Sequence, residues 1–303
     1  RTDRDHRMVL NAIGPVWDGN EVWLVLGGGA LFAAFPIVYA SLFSGFYLAM
    51  MLVLLVLILR TIAIEFRSHR ESPAWRATWD WFFFASSLGI TLLLGVALGN
   101  VIRGVAVDSS AEISVDLIDM LNPYSIAVGA AAVAMLSLHG GVFLTLKVEG
   151  DLLDRVQRLV PKLMVAFFVA MTALIAWTLL LDTEIADRFA DRPWTAVFPL
   201  LALVAAIVAW RLILRSSYLS AFLASSAMIA LLLATVAAGL YPVLVPSSID
   251  PSYDLTIHNA ASAEPTLRVM TVIAVIGLPF VLLYTAGVYY FFRGRVVLDD
   301  GGY

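Results

Sequence analysis

Between Val22 and Leu59 no residue carries a charge, and one proline, Pro36, is the only break in the run. Such a run has few places to fold. A hydrocarbon core of ~30 Å is crossed by about 20 residues of α-helix, and in lipid the backbone N–H and C=O groups must be satisfied within the helix itself. The run is long enough to cross twice, with the break near Pro36. Comparable apolar stretches extend the pattern: the spans are read at residues 17–36, 42–64, 79–102, 123–146, 159–181, 194–214, 218–245 and 267–292. The chain is therefore an all-α integral membrane protein of about eight transmembrane helices. It forms a single membrane domain over residues 1–303, with four spans in 1–146 and four in 147–303.

Composition agrees and excludes several functions. Hydrophobic residues make up 61% and charged residues 14%, where a soluble domain carries about a quarter charged. Zero cysteines remove disulfides, thiolate metal sites and cysteine nucleophiles. A net charge of −4 without any basic run gives nucleic acid no purchase. No serine–histidine–aspartate array, phosphate-binding loop or dinucleotide fingerprint occurs, so catalysis by this chain alone is not expected, nor is a metal site.

Charge also orients the helices. Arg1, Arg4 and Arg7 precede the first span, and Arg60, Arg67, Arg70 and Arg76 lie between the second and third. Lys147, Arg155, Arg158 and Lys162 follow the fourth, Arg211 and Arg215 the sixth, and Arg293 and Arg295 the eighth. That places fifteen of nineteen basic residues on one side, which the positive-inside rule makes cytoplasmic, the C-terminus included. The opposite side holds Arg103, Arg188, Arg192 and Arg268 with acidic loops. Its longest segments, 103–122 and 246–266, carry turn signals at Asn122-Pro123 and Pro246-Ser247-Ser248 and read as short lids or partner contacts. Trp75, Trp79 and Trp81, and the run Tyr289 to Phe292, read as interfacial aromatic belts.

Few residues are candidates for chemistry. Asp18 and Glu21 stand three apart on one face of the first span, at its cytoplasmic end. Ionisable groups at membrane depth mark ion or proton paths; an aspartate cap with a glutamate three residues on is equally a capping box. Arg60, Glu65 and Asp80 reach the same level on the next two spans and could converge with Asp18 into a hydrated cluster. The plainer reading has Arg60 snorkelling, Glu65 pairing with Arg67 and Asp80 capping a helix. His139, the one histidine well inside a span, lacks the partner ligands that haem or metal needs and reads as a hydrogen-bonded core residue. Gly27-Gly28-Gly29 with Ala30, Ala33 and Ala34 has the small-residue spacing of close helix packing. A secondary transporter is the competing class, although interrupted helices in matching halves are not evident and the charges sit near span ends.

The segment Gly14 to Leu24, reading G-P-V-W-D-G-N-E-V-W-L, resembles the signature of subunit II of the cytochrome bd-type quinol oxidases. The likeness continues through Gly28 to Ala34, Tyr39-Ala40, Phe43 to Tyr47, Arg60, Glu65 to Arg67 and Trp79 to Trp81. Gly99-Asn100, Leu121 to Pro123, Pro246 to Ser248 and Leu283 to Ala286 carry it to the end of the chain. The resemblance implies nine helices packed as two four-helix-bundle-like halves. Eight spans and a start at Arg1 rather than Met make the family's first helix the expected missing one.

It further implies a bacterial cytoplasmic membrane and a partner, subunit I, carrying two b-type haems and one d-type haem or a third b-type haem. Subunit I holds the quinol-oxidising site, and the complex reduces dioxygen to water with cytoplasmic protons. A small single-helix subunit and a structural quinone are further family features. No cofactor is assigned to this chain. Carried over by position, Asp18 is the proton-uptake residue, with Glu21 and Trp17 beside it, while Arg60, Glu65 and Asp80 form a structural or electrostatic polar cluster.

Overall fold

The computed structural model describes residues 2–181 and 184–298. The expected basic residue Arg1 lies outside them. Twelve helices follow in chain order: α1 (Asp3–Ile13), α2 (Trp17–Ala34), α3 (Pro36–Gly45), α4 (Tyr47–Phe66), α5 (Pro73–Arg103) and α6 (Leu117–Met120). The second half holds α7 (Pro123–Lys147), α8 (Gly150–Leu180), α9 (Glu184–Asp191), α10 (Val197–Leu214), α11 (Tyr218–Leu240) and α12 (Glu264–Phe291).

Seven segments, containing α4, α5, α7, α8, α10, α11 and α12, are long and apolar enough to cross a membrane, and each falls on an expected span. The remaining span, read at 17–36, is α2. Its 18 residues end at Ala34, capped by Phe35 ahead of Pro36, where a proline inside the helix would forfeit a hydrogen bond, and its first five residues include Asp18, Asn20 and Glu21, which dilute its apolarity. The second span begins as the separate short helix α3 and continues as α4. Elsewhere the largest boundary shifts are three: α8 begins at Gly150, nine residues before the expected 159, α5 begins at Pro73 rather than 79, and α11 ends at Leu240, ahead of a strand.

Packing follows two groups joined by α7. The larger buried cluster joins α7, α8, α10 and α11 through Leu138, Val142, Val160, Met164, Phe167, Ala209 and Met228. In the first group α4 lies on α5, α5 on α7, and α2 on α12. The closest approach is between α5 and α7. A Cβ added at Gly95 would stand 2.6 Å from the Gly129 Cα, and one at Gly99 would stand 2.7 Å from the Ser125 Cα. Gly95 and Gly99 form the four-residue small-residue spacing that lets membrane helices meet backbone to backbone.

Gly27-Gly28-Gly29 behaves otherwise. Cβ atoms at Gly27 and Gly29 would meet nothing within 4 Å, and at Gly28 only Phe43 at 4.0 Å. The close packing expected there does not occur within this chain: the stretch lies on an open face of α2.

The outer loops are neither free lids nor loose connections. Strands β1 (Val243–Val245) and β2 (Leu255–Thr256) pair antiparallel, Val105 N–H donates to the Pro246 carbonyl at 3.0 Å, and the Ser247 hydroxyl donates to the Val107 carbonyl at 2.7 Å. Val105, Val107, Val245, Leu255 and Ala260 are buried between the two segments. Beneath them Asn122 accepts from Ser125 N–H as the α7 cap and donates to the Asn100 Oδ1 at 3.0 Å.

The N-terminal charged patch is ordered as α1, whose Met8, Leu10 and Ala12 are buried. Thr2 and Asp5 form its capping box, and Arg155 of α8 reaches Asp5 at 2.8 Å. The backbone N–H of Thr2 first, and Arg155 second, hold the Asp5 carboxyl down at about 2 from its ordinary 3.8. A carboxyl depressed in the folded state contributes stability above its unfolded pKa and loses it as pH falls through the folded value. The protection factors of the α1 amides, which take out the intrinsic pH dependence of exchange, are therefore expected to fall as pH drops from about 4 towards 2, and to change less over that window in Asp5→Asn. Equal acid responses of the two proteins would refute this.

Candidate functional site

At the basic end of the helices, the residues singled out from sequence fall into two ionic groups and one open carboxylate. Asp18 is the second residue of α2 and is exposed. The N-cap is Val16, with no side-chain cap bond, so the expected Asp18–Glu21 capping box does not form: Asp18 is already one residue inside the helix, with its carboxylate directed outward. Trp17 beside it is half-buried. At the same end Asn20 donates to the Tyr289 hydroxyl of α12 at 3.2 Å, joining α2 to α12.

One turn deeper, Glu21 is in direct ionic contact with Arg60 of α4. Their side chains are 21% and 19% exposed, so the pair is largely removed from solvent. Arg60 therefore does not snorkel free; it is bound to the first span. The guanidinium also lies 5.8 Å from the Phe83 ring centroid, near the outer limit of a cation–π contact.

The second group centres on a residue that sequence reasoning used as a counted charge and as a partner for Glu65, not as the centre of a network. Arg67 has a side chain 2% exposed. Its Nε and Nη2 donate to the two oxygens of Asp80 at 2.6 and 3.2 Å, and Nη2 also donates to Asp3 at 2.7 Å. Asp3 in turn accepts from Arg76 at 2.9 Å, while His6 Nδ1 donates to Asp80 at 2.7 Å. Asp80 thus does not cap α5, whose N-cap is Ser72; it stands in the third turn and receives a forked guanidinium, the strongest geometry available to an ion pair. Glu65 lies on the exposed side of the last turn of α4.

The single hydrated cluster expected of Asp18, Arg60, Glu65 and Asp80 is divided in this way. Arg60 and Arg67 are seven residues apart, ~10 Å along one helix, and each binds its own carboxylate. The missed residues, Asp3, His6 and Arg67, had a signal: Thr2 with Asp5 is a capping-box spacing that announces a helix, and its acids return to the basic end of α4.

His139 Nδ1 lies 2.8 Å from the Ser225 hydroxyl and the ring stacks on Phe222 at 4.7 Å, a hydrogen-bonded core histidine as expected. Among the described residues no group of three or more histidine, aspartate or glutamate side chains is disposed to hold a metal ion. The helix break at Phe35 has no counterpart in the second half: α8 and α12 run unbroken through Pro161 and Pro279, so the matched interruptions of a transporter are not seen among the described residues.

Comparison with known proteins adds a family. Residues 1–292 match the model for cytochrome bd terminal oxidase subunit II. The chain is 36% identical over 293 residues to the cytochrome bd ubiquinol oxidase subunit 2 of Bacillus subtilis (strain 168), covering 96% of this chain and 86% of that one. With the cytochrome bd-I ubiquinol oxidase subunit 2 of Escherichia coli (strain K12) it shares 32% identity over 330 residues, covering 99% and 87%. The solved structure of bd oxidase from Geobacillus thermodenitrificans has the same fold, with a TM-score of 0.76 at 19% identity over 95% of this chain and 86% of that one.

Proposed function

The chain belongs to the cytochrome bd terminal oxidase subunit II family, and from that premise we propose that it is the haem-free subunit of a quinol:dioxygen oxidoreductase of the bacterial cytoplasmic membrane. It stabilises a haem-bearing subunit I and admits cytoplasmic protons at Asp18. The haems of that partner supply the electron transfer and the reduction of oxygen; this chain contributes a scaffold and a proton-accepting group.

The observation that carries the proton role is the placement of Asp18: an exposed carboxylate in the first turn of α2, on the side where fifteen of nineteen basic residues lie. The carboxylate is open to water, so it can exchange protons with the cytoplasm and with a neighbour packed on the open face of α2. Glu21 is occupied by Arg60, which fits it to holding α2 on α4 rather than to carrying protons. Trp17, half-buried next to Asp18, limits the carboxylate to one side of the helix.

In the assembled oxidase, Asp18→Asn is expected to slow quinol-driven oxygen consumption by about a hundredfold, the lower end for losing a positioned proton-transfer group. The haem absorption bands should be unchanged and Asp18→Glu should recover much of the rate. Full turnover in Asp18→Asn would remove Asp18 from the proton route.

A further inference from the structure

On the opposite half of the molecule, α8 and the α10–α11 turn enclose two grooves. One, of about 310 Å³, is lined by Asp154, Gln157, Arg158, Ser216 and Tyr218 with Leu214 at its edge. The other, of about 500 Å³, is lined by Phe168, Ile207, Trp210, Arg211 and Leu214. Leu214 lines both, so the two adjoin there, a polar mouth and an apolar tail of an open channel on the helix surface. Ile207 lies seven residues below Leu214, and Phe168 ten below Arg158, which takes the tail ~10–15 Å down the helices, into the cytoplasmic half of a ~30 Å hydrocarbon core.

Five cations of the same membrane face are held by partners, while Arg4, Arg70, Lys162, Arg293 and Arg295 are exposed like those of this mouth. Arg60 is bound to Glu21, Arg67 to Asp80 and Asp3, Arg76 to Asp3, Arg155 to Asp5, and Lys147 to the Phe292 carbonyl. Arg158 and Arg211, which line the grooves, and Arg215 in the adjoining turn are exposed, and among the described residues none has a carboxylate within ion-pair distance. Against these three cations the grooves present one acid, Asp154. Trp210, packed on Phe168 at 5.2 Å, stands at the boundary where tryptophan marks the headgroup level.

We propose that this channel binds an anionic phospholipid, its phosphate held by Arg158, Arg211 and Arg215 and one acyl chain laid along Phe168, Ile207 and Trp210. Basic pockets between helices on the cytoplasmic side suit such headgroups, and the volume is that of a small-molecule site, ~300–1,000 Å³. A transmembrane helix ~10 Å across would fill roughly 1,200 Å³ over the same length. The excess of positive charge selects an anionic over a zwitterionic headgroup.

The test is lipid retention by the purified oxidase complex in native mass spectrometry, titrated with phosphatidylglycerol or with phosphatidylcholine of the same chains. The wild type is expected to retain phosphatidylglycerol preferentially. Arg158→Ala/Arg211→Ala should lose that preference, by about fivefold for each arginine, and Leu214→Trp, which fills the channel without changing charge, should reduce retention of both lipids. Each substituted residue is exposed, and the haem spectrum of each variant checks that the complex is intact. Equal retention of the two lipids, unchanged retention in the variants, full displacement by millimolar inorganic phosphate, or cross-linking of Ile207→Cys to a polypeptide would each overturn the proposal.

Discussion

Arg67→Ala is expected to remove most of the assembled subunit from the membrane, the larger of the two effects that this structure leads one to expect. The guanidinium is 2% exposed and, among the described residues, is the only cation whose contacts reach both Asp80 and Asp3. Taking it away leaves the Asp80 carboxylate with His6 alone and Asp3 with Arg76 alone. Deleting one partner of a buried ion pair costs ~3–5 kcal/mol, because the remaining charge is left uncompensated, and whole domains are stable by only ~5–15 kcal/mol. The yield of the complex from membranes, its haem absorbance and its thermal unfolding measure this. Arg67→Lys should recover part of the loss, since an ammonium replaces the charge but not the forked pair of donors. Asp80→Ala should fall in the same direction. The signature separates from that of Asp18→Asn: here the amount of complex falls while turnover per haem is kept, there the rate falls while the amount is kept. Wild-type yield and stability in Arg67→Ala would show that the network does not hold the fold.

Most of the architecture was legible because the membrane makes it so. Each span had to be a helix of about 20 residues, and the alternation of basic and acidic connections fixed which ends share a side. What failed was local or non-local in specific ways. α2 and α3 divide at Phe35 because Pro36 cannot donate, and the sequence showed the proline without showing that the chain bends and continues in the same layer. The pairing of 243–245 with 255–256, and of both with the 103–122 loop, involves short segments far apart in sequence whose apolar residues are too few to form a periodic pattern.

At the site, the sequence put Glu21, Arg60 and Asp80 at one end of the helices without giving their partners. A charge at the end of a span reads as snorkelling or capping because that is the cheapest arrangement for a single helix. Arg67 is buried only because α1 folds back over it with Asp3 and His6, and the return of a short helix preceding the first span is not encoded in the hydropathy of any span. For Asp18 the sequence left a cap and a proton-path residue open; the cap reading falls because the N-cap is Val16.

Glycine gives the second large effect. Gly27-Gly28-Gly29 is the conspicuous small-residue stretch in the sequence, and Gly95 and Gly99 are inconspicuous; the structure reverses their importance within this chain. Small residues permit close approach without specifying which neighbour approaches. At Gly95 the atom that a side chain would strike is the Gly129 Cα at 2.6 Å, and at Gly99 the Ser125 Cα at 2.7 Å. These are backbone atoms of α7 and cannot rotate aside, so any side chain must push the two helices apart. Separating them also strains the Asn100 to Asn122 bond at the same end and loosens α7, on which both halves pack. Gly95→Leu and Gly99→Leu are each expected to destabilise by about 3 kcal/mol or more, the upper range for overpacking a tight contact, visible as loss of folded subunit and a lowered unfolding temperature. Gly27→Leu serves as the control: with open space around it, its effect on the stability of the subunit by itself should be small. If Gly95→Leu and Gly27→Leu unfold alike, the α5–α7 crossing is not the rigid contact that joins the two halves.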